Sequence, residues 1–534
     1  MKKGRSNQAF FAQTPAVQMP RSSFNRTYNG KTTFDAGNLI PIMVDKVVPG
    51  DTYNVRLHAL ARLATAQKPV MDDIFLNTFF FFVPNRLVWD KWEQFMGERK
   101  PDPDSSIDYL IPQTSAPDGV GYAVHSIFDY MGLPVGIENL SHSVLPMRGY
   151  NLIFNEFFRD ENLQDSLPVN KDQDGPDLYT DYVIKRRNKA RDYFTSSLPW
   201  PQKADSVLIP GSDYLPVHGL AMSVGASDYV GTATGTRDSS GTNAIPTGSD
   251  WDTVVADQLL VQGDNAQTGG RAPRIHVDLT ENTDGTINAL RMAEQLQVFY
   301  ERDARGGTRF IELLKSQYGV TSPDFRLQRP EYLGGGSSRV NVSPISQTAA
   351  TGATGTPQGN LAAMGVCTVK GHGFTHSFVE HGYIIGLISC QANISYQNGI
   401  ERTWLTRTRE EEYFPAFANL GEQATLKGEI YATGTETDDD VWGYNERYSE
   451  YRYKPSLITG LMRSDVSGSL DVWHLAQDFD SAPGLNSDFI EDNPPIDRVI
   501  AVPTEPHFII DYVVGMTTAR VMPTHPLPGN ASRF

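Results

Sequence analysis

The chain of 534 residues carries only two cysteines, Cys367 and Cys390. So few cannot form a disulfide framework across this length, which sets aside the stapled secreted folds and fits folding in a reducing compartment. No apolar run approaches the roughly 20 residues that a membrane-spanning helix needs, so membrane insertion is not expected. The N-terminus, MKKGRSNQAFFAQTP, begins basic, but no apolar stretch follows, so it does not read as a secretory signal. Positive charge is the scarcer sign: 46 Lys and Arg against 63 Asp and Glu leave a net charge of −17. The protein as a whole repels nucleic acid, and any contact with DNA or RNA has to be local. P-loop, dinucleotide fingerprint, nucleophile elbow, HExxH helix and internal repeat are all missing. Neither an enzyme nor a cofactor is expected.

Turn formers are abundant instead, with 46 Gly and 34 Pro, as where many turns join short strands. From Tyr53 to Leu63 apolar and polar residues alternate, the period of a half-buried strand. Ile74 to Val83 is nearly all apolar and includes Phe79 to Phe82, which predicts a strand buried on both faces and stopped by Pro84. Asn85 is placed to cap a helix with Val88, Trp92, Phe95 and Met96 on one face and Gly97 at its end. Asn151 to Gln164 reads as helical. Ala289, Met292, Ala293, Leu296, Phe299 and Tyr300 form an apolar helical stripe, and a shorter helix runs from Thr308 to Tyr318. Val379 to Ile394 reads as an apolar strand.

Local positive charge lies in two places. Residues 1–34 hold Lys2, Lys3, Arg5, Arg21, Arg26 and Lys31, no acid, and aromatics including Phe10 and Phe11. Without helical or strand period they read as an extended basic arm or a frayed terminus. KRRNKAR adds Lys185, Arg186, Arg187, Lys189 and Arg191, a candidate for phosphate contact or the solvated end of a helix. Residues 219–272 turn rich in Gly, Thr and Ser and read as a surface insertion. The expected organisation is an arm over 1–34, a first β portion over 35–218, the insertion over 219–272 and the remaining β portion over 273–534.

Metal and carboxylate sites are weakly indicated. His372 and His376 would share a strand face with His381 opposite, which argues against a cluster with Glu380. Asn170, Asp172, Asp174, Gly175 and Asp181 match most of a calcium loop, although the first ligand is Asn and the last is Asp, and an acidic turn serves as well. No metal is expected. Glu410, Glu411 and Glu412 are candidates for glycoside hydrolysis only if adjacent side chains converge, which a strand forbids. A secreted-type β-sandwich, either a carbohydrate-binding protein or a glycoside hydrolase, remains the alternative.

Several stretches resemble the major capsid proteins of the Microviridae, the gokushovirus branch in particular. They are VVPGDTYNV (47–55), FFFFVPNRLVWDKWEQFMGE (79–98), DYFTSSLPWPQK (192–203), the helical stretch 287–320, RPEYLGG (329–335) and YFPAFANLGEQ (413–423). The resemblance implies a mainly β fold, an eight-stranded antiparallel viral jelly roll with long inserted loops and several helices. It implies a structural protein of the virion, sixty copies forming a T=1 shell around circular single-stranded DNA, assembled in the bacterial cytoplasm. Implied partners are an internal scaffolding protein, a small basic DNA-binding protein, a DNA pilot protein and a host cell-surface receptor. The 219–272 insertion would form the threefold protrusion that meets that receptor, and the basic clusters would face the DNA, with base-stacking aromatics beside them.

Overall fold

The computed structural model describes residues 21–98, 109–207, 287–348 and 358–525, and six two-residue strands between 217 and 277. The alternation seen in sequence is a strand: Thr52–Leu63 buries Tyr53, Val55, Leu57, Ala59, Ala61 and Leu63 and exposes the residues between them. It belongs to a two-sheet sandwich built from β1 (Arg21–Asn25), β2 (Tyr28–Phe34), β3 (Ile40–Val47), β4 (Thr52–Leu63), β5 (Ile74–Pro84), β6 (Glu331–Arg339), β7 (Asn341–Ser346), β8 (Leu361–Ser377), β9 (Gly382–Ala392) and β10 (Phe508–Val521).

One sheet runs β1–β10–β4–β8–β7, with β2 also on β10; the other runs β6–β5–β9–β3. β1 pairs with Thr517–Val521 and β2 with Phe508–Val514, so the two share one position along β10. Setting β7 aside, successive strands alternate between the sheets except at β5 and β6, which pair within one sheet, and this is jelly-roll topology with eight positions. β7 is an added edge strand, and Pro344 within it offers no N–H to a further strand. Residues 21–34 are therefore not an unstructured arm. Their weak pattern reflects an edge position: β1 alternates only between exposed and half-buried side chains, and in β2 only Phe34 is buried.

β5 is sandwiched from both sides. Ile74, Leu76, Phe80 and Phe82 enter the core between the sheets, with Ile384 and Ile388 of β9 and Val55 and Leu57 of β4. Phe81 and Val83 face the other way, into a second cluster with Ile385 and Leu387. That cluster is closed by the connection that follows β5, through α1 (Asn85–Val88), α2 (Trp92–Phe95) and α3 (Leu145–Ile153). The both-faces burial expected for Phe79 to Phe82 is found, with Phe79 partly exposed.

The helix expected after Pro84 is split. Pro84 is the N-cap residue, and Asn85 makes no capping bond; its fully buried amide has no hydrogen-bond partner among the described residues. Trp89 leaves the helix in extended backbone, and its indole N–H donates to Asp174 Oδ1 at 3.0 Å. Placing this ring under the sheet, against Phe95 at 5.7 Å, breaks the helix. Gly97 does close the segment at φ 101°. The expected helix over 151–164 begins earlier, at Leu145, where Pro146 suits the first turn. It ends in a π-helical turn, Phe154–Phe158, which brings Phe158 to 5.2 Å from Phe79 and Phe157 to 4.7 Å from Phe81.

A buried ion pair ties this layer together. Arg148 donates to both oxygens of Asp177, at 2.8 and 2.6 Å, and both side chains are wholly inaccessible. The same guanidinium reaches Val88 O and Gln173 O, and Tyr182 donates its hydroxyl to Asp177.

The chain divides into two compact units, 1–201 with 305–534, and 202–304. In the second, paired two-residue strands precede α4 (Ile287–Gly306). Met292 and Phe299 of its apolar stripe are exposed. α5 (Phe310–Tyr318) in the first unit stops at Gly319 in left-handed backbone, as its sequence predicts.

Candidate nucleic-acid interface

Lys2, Lys3, Arg5, Phe10 and Phe11 lie outside the described residues. Of the other bases in the first 34 residues, Arg26 is committed internally. Its guanidinium holds Asp45 through two bonds of 2.7 and 2.6 Å, and Tyr53 donates to the same carboxylate. Arg21 is exposed and donates to Gly50 O and Thr52 Oγ1. Lys31 stands in solvent 3.6 Å from Asp511, a screened pair that leaves its charge available.

The Lys185–Arg191 run is neither a helix end nor a free loop. It is extended chain stitched between two neighbours: Arg187 N–H donates to Gly37 O, Asp492 N–H to Arg187 O and Lys189 N–H to Ile490 O. Gly37 makes the approach possible. Its φ is +81°, and a Cβ there would sit 1.9 Å from the Asp492 carbonyl oxygen. Lys189, expected to face DNA, is instead buried, with its ammonium 4.2 Å from the centroid of the Phe489 ring. Burial pushes it down to about 8. It is a packed cation held by aromatic faces. Lys185 and Arg186 are partly exposed and Arg191 is exposed.

Arg187 lines a cleft of ≈ 630 Å³ whose walls include Phe79, Phe81, Phe157, Phe158, Tyr332 and Asp324. The guanidinium lies 5.0 Å from the Phe79 ring centroid. Its Nη1 and the Oδ1 of Asn188 are buried with no hydrogen-bond partner among the described residues. Arg329 covers Phe157 at 4.2 Å and pairs with Asp324 at 2.9 Å. The phenylalanine run, the basic run, the helical stretch with Phe157 and Phe158, and RPEYLGG each stood out in sequence, but nothing in the sequence joined them or pointed to Asp324. They come from distant segments that only the closing of the second cluster brings together.

Behind the basic segment, Asp492 is fully buried and neither carboxylate oxygen has a hydrogen-bond partner among the described residues. Burial lifts it to about 7, against the pull of Lys189, Arg187 and Arg186. The unfolded chain gives up this proton near pH 4 while the folded chain keeps it to about 7, so the group's stabilising contribution falls as pH rises through that window. Between pH 5 and pH 8 the loss is about 2–3 kcal/mol. Lys189 acts in the opposite sense at higher pH, between about 8 and 10.5. In thermal unfolding of the purified chain, Asp492→Asn should therefore gain on the wild type between pH 5 and pH 8. An unchanged difference between the two pH values would contradict the assignment.

The metal and carboxylate candidates do not converge. His372 bonds Thr78 and Ser338, His376 lies 3.8 Å from Glu331, and the His381 ring packs 5.6 Å from Trp92. Asp174 is taken by Lys91 and Trp89, and Asn170 donates to Asp181 at 3.3 Å. Asp172 shares no cluster with them: among the described residues no group of three or more His, Cys, Asp or Glu could hold a metal ion. Glu411 accepts from the Arg407 and Thr408 amides, which hold its carboxyl below the usual range, while Glu412 takes the Tyr451 hydroxyl. Among the described residues no helix is long and apolar enough to cross a membrane.

Comparison with known proteins gives these features their setting. The family model described as capsid protein (F protein) matches residues 12–530. Capsid protein VP1 of Bdellovibrio phage phiMH2K is 44% identical over 541 residues, 99% of each chain. Capsid protein VP1 of Chlamydia phage 1 is 43% identical and that of Spiroplasma virus 4 is 33% identical, each over 97% of both chains. With a jelly-roll sandwich and relatives matched end to end, the chain belongs to the phage capsid (F protein) family: it is a structural component of a virion that assembles with its own copies.

Proposed function

We propose that the chain is the subunit of a T=1 icosahedral shell, sixty copies enclosing circular single-stranded DNA and assembled in the bacterial cytoplasm. The observation that carries this reading is the full-length relationship to phage capsid proteins, joined to a jelly-roll sandwich. An acidic shell needs help to neutralise a genome, which supports a small basic DNA-binding protein as partner. An internal scaffolding protein and a DNA pilot protein complete the proposed set. The DNA-facing residues are proposed to be Lys2, Lys3, Arg5, Phe10, Phe11, Arg21, Lys31, Lys185, Arg186, Arg187 and Arg191, while Arg26 and Lys189 serve the fold.

The Gly-, Thr- and Ser-rich stretch 219–272 is proposed as the threefold protrusion that attaches to a host cell-surface receptor. It lies within the second compact unit, 202–304. Removing 225–270 should leave shells that sediment normally but adsorb poorly to host cells. Lost assembly with unchanged adsorption would refute the assignment. Removing residues 1–20 leaves β1 and β2 whole and should release DNA from opened particles at lower salt, because fewer phosphates are neutralised. Unaltered salt dependence would place the arm elsewhere.

A further inference from the structure

We propose that an aromatic pocket built mainly on residues 396–463 receives the stretch 526–534, PLPGNASRF, of a second copy of this chain. The pocket measures ≈ 460 Å³, within the range of about 300–1,000 Å³ typical of binding sites. The Tyr193 and Tyr453 rings line it in parallel, their centroids 5.1 Å apart. Trp404 and Leu457 line it too, and they are 77% and 82% exposed although both are large and apolar. The polar groups beside them are engaged within the subunit. Arg402 and Tyr193 each donate to the Glu429 carboxylate at 2.7 Å, and Lys454 pairs with Glu401. What the pocket offers is ring faces and aliphatic surface, which suit prolyl and leucyl side chains better than a sugar or a phosphate.

Residues 526–534 lie outside the described residues, and their sequence matches this surface. Pro526, Leu527 and Pro528 are apolar, and a proline on each side of Leu527 favours the extended backbone that aromatic grooves recognise. The stretch has one base, Arg533, and no acid, whereas 396–463 carries twelve acids against eight bases. Residues 1–20 place their two prolines at 15 and 20 and lack this spacing. The donor is another copy because the stretch leaves from the wrong end of its own sandwich. β10 delivers it at Val521, about 43 Å along the strand from Phe508. The pocket belongs to the Phe508 end. Its Tyr396 is four residues past Ala392, which pairs with Ile74. Ile74 O accepts from Val340, and the neighbouring Asn341 is joined through Val366 to Arg62, next to the Leu63–Phe508 pair. Pulled straight, Val521 to Leu527 spans at most about 22 Å and Ala392 to Tyr396 about 14 Å, which together fall short of the strand. Copies of this chain assemble with one another, so a neighbour can supply what the subunit itself cannot.

The test titrates a fluorescein-labelled peptide of residues 522–534 with the purified, unassembled full-length chain and reads anisotropy. Binding should saturate. Trp404→Ala, at an exposed position that does not endanger folding, should weaken it roughly tenfold, as should Leu527→Ser in the peptide. Absent binding, or binding that neither change affects, overturns the proposal, as does a peptide of residues 1–20 that binds in its place and is lost with Trp404→Ala. In particles, a benzophenone side chain at position 527 should crosslink to 396–463 of a different copy, told apart by mixing isotopically light and heavy chains. A crosslink within one chain contradicts the exchange. Peptide binding is read before assembly, so a wrong copy number in the shell would leave it standing, and failed binding would leave the shell reading standing.

Discussion

Arg148→Ala should lower the stability of the subunit by about 3–5 kcal/mol, the cost of stranding one member of a buried ion pair. Both partners are inaccessible, and the guanidinium also satisfies two backbone carbonyls from separate segments. Removing it leaves Asp177 with the Tyr182 hydroxyl as its one remaining side-chain donor among these contacts and frees Val88 O and Gln173 O inside the inserted layer. Replacing both charges together, Arg148→Met with Asp177→Leu, should recover part of the loss, because no charge is then left uncompensated. Denaturant unfolding of the purified chain measures both. A single variant within about 0.5 kcal/mol of wild type would show that the pair is not the tie described.

Phe80→Ala and Phe81→Ala should each cost about 3–5 kcal/mol, although these neighbours face opposite ways. Phe80 loses contact with Phe374 at 5.4 Å in the core between the sheets. Phe81 loses Phe157 at 4.7 Å and Tyr332 at 5.4 Å in the layer outside them. Because the two rings belong to separate clusters, the double variant should show the sum of the two costs to within about 0.5 kcal/mol. A negligible cost at Phe81 alone would mean that the inserted connection does not cover β5. The same unfolding assay decides it.

How much of this was legible in sequence depended on burial pattern. β4 was plain because one face is buried and one is wet, and β5 because both are buried. β1 and β2 were missed because an edge strand with mixed burial leaves no period in Arg21–Asn25 or Tyr28–Phe34. The break at Trp89 was also invisible, since local helical pattern cannot register a partner as distant as Asp174. Strand partners, and the cleft assembled from residues near 79, 157, 187 and 324, depend on chain crossings that no local window contains. Charge alone misled at Lys189, where backbone stitching through Gly37 and Asp492 sets which side chains turn inward.

The central claim is that this chain closes a shell. Cryo-microscopy of particles purified after expression with the scaffolding partner tests it most directly. The account predicts closed icosahedral particles of sixty copies, with the β-sandwich as the continuous wall and the 219–272 segment projecting at the threefold axes. A chain that remains monomeric beside its scaffolding partner, or a closed particle with another copy number, would contradict it.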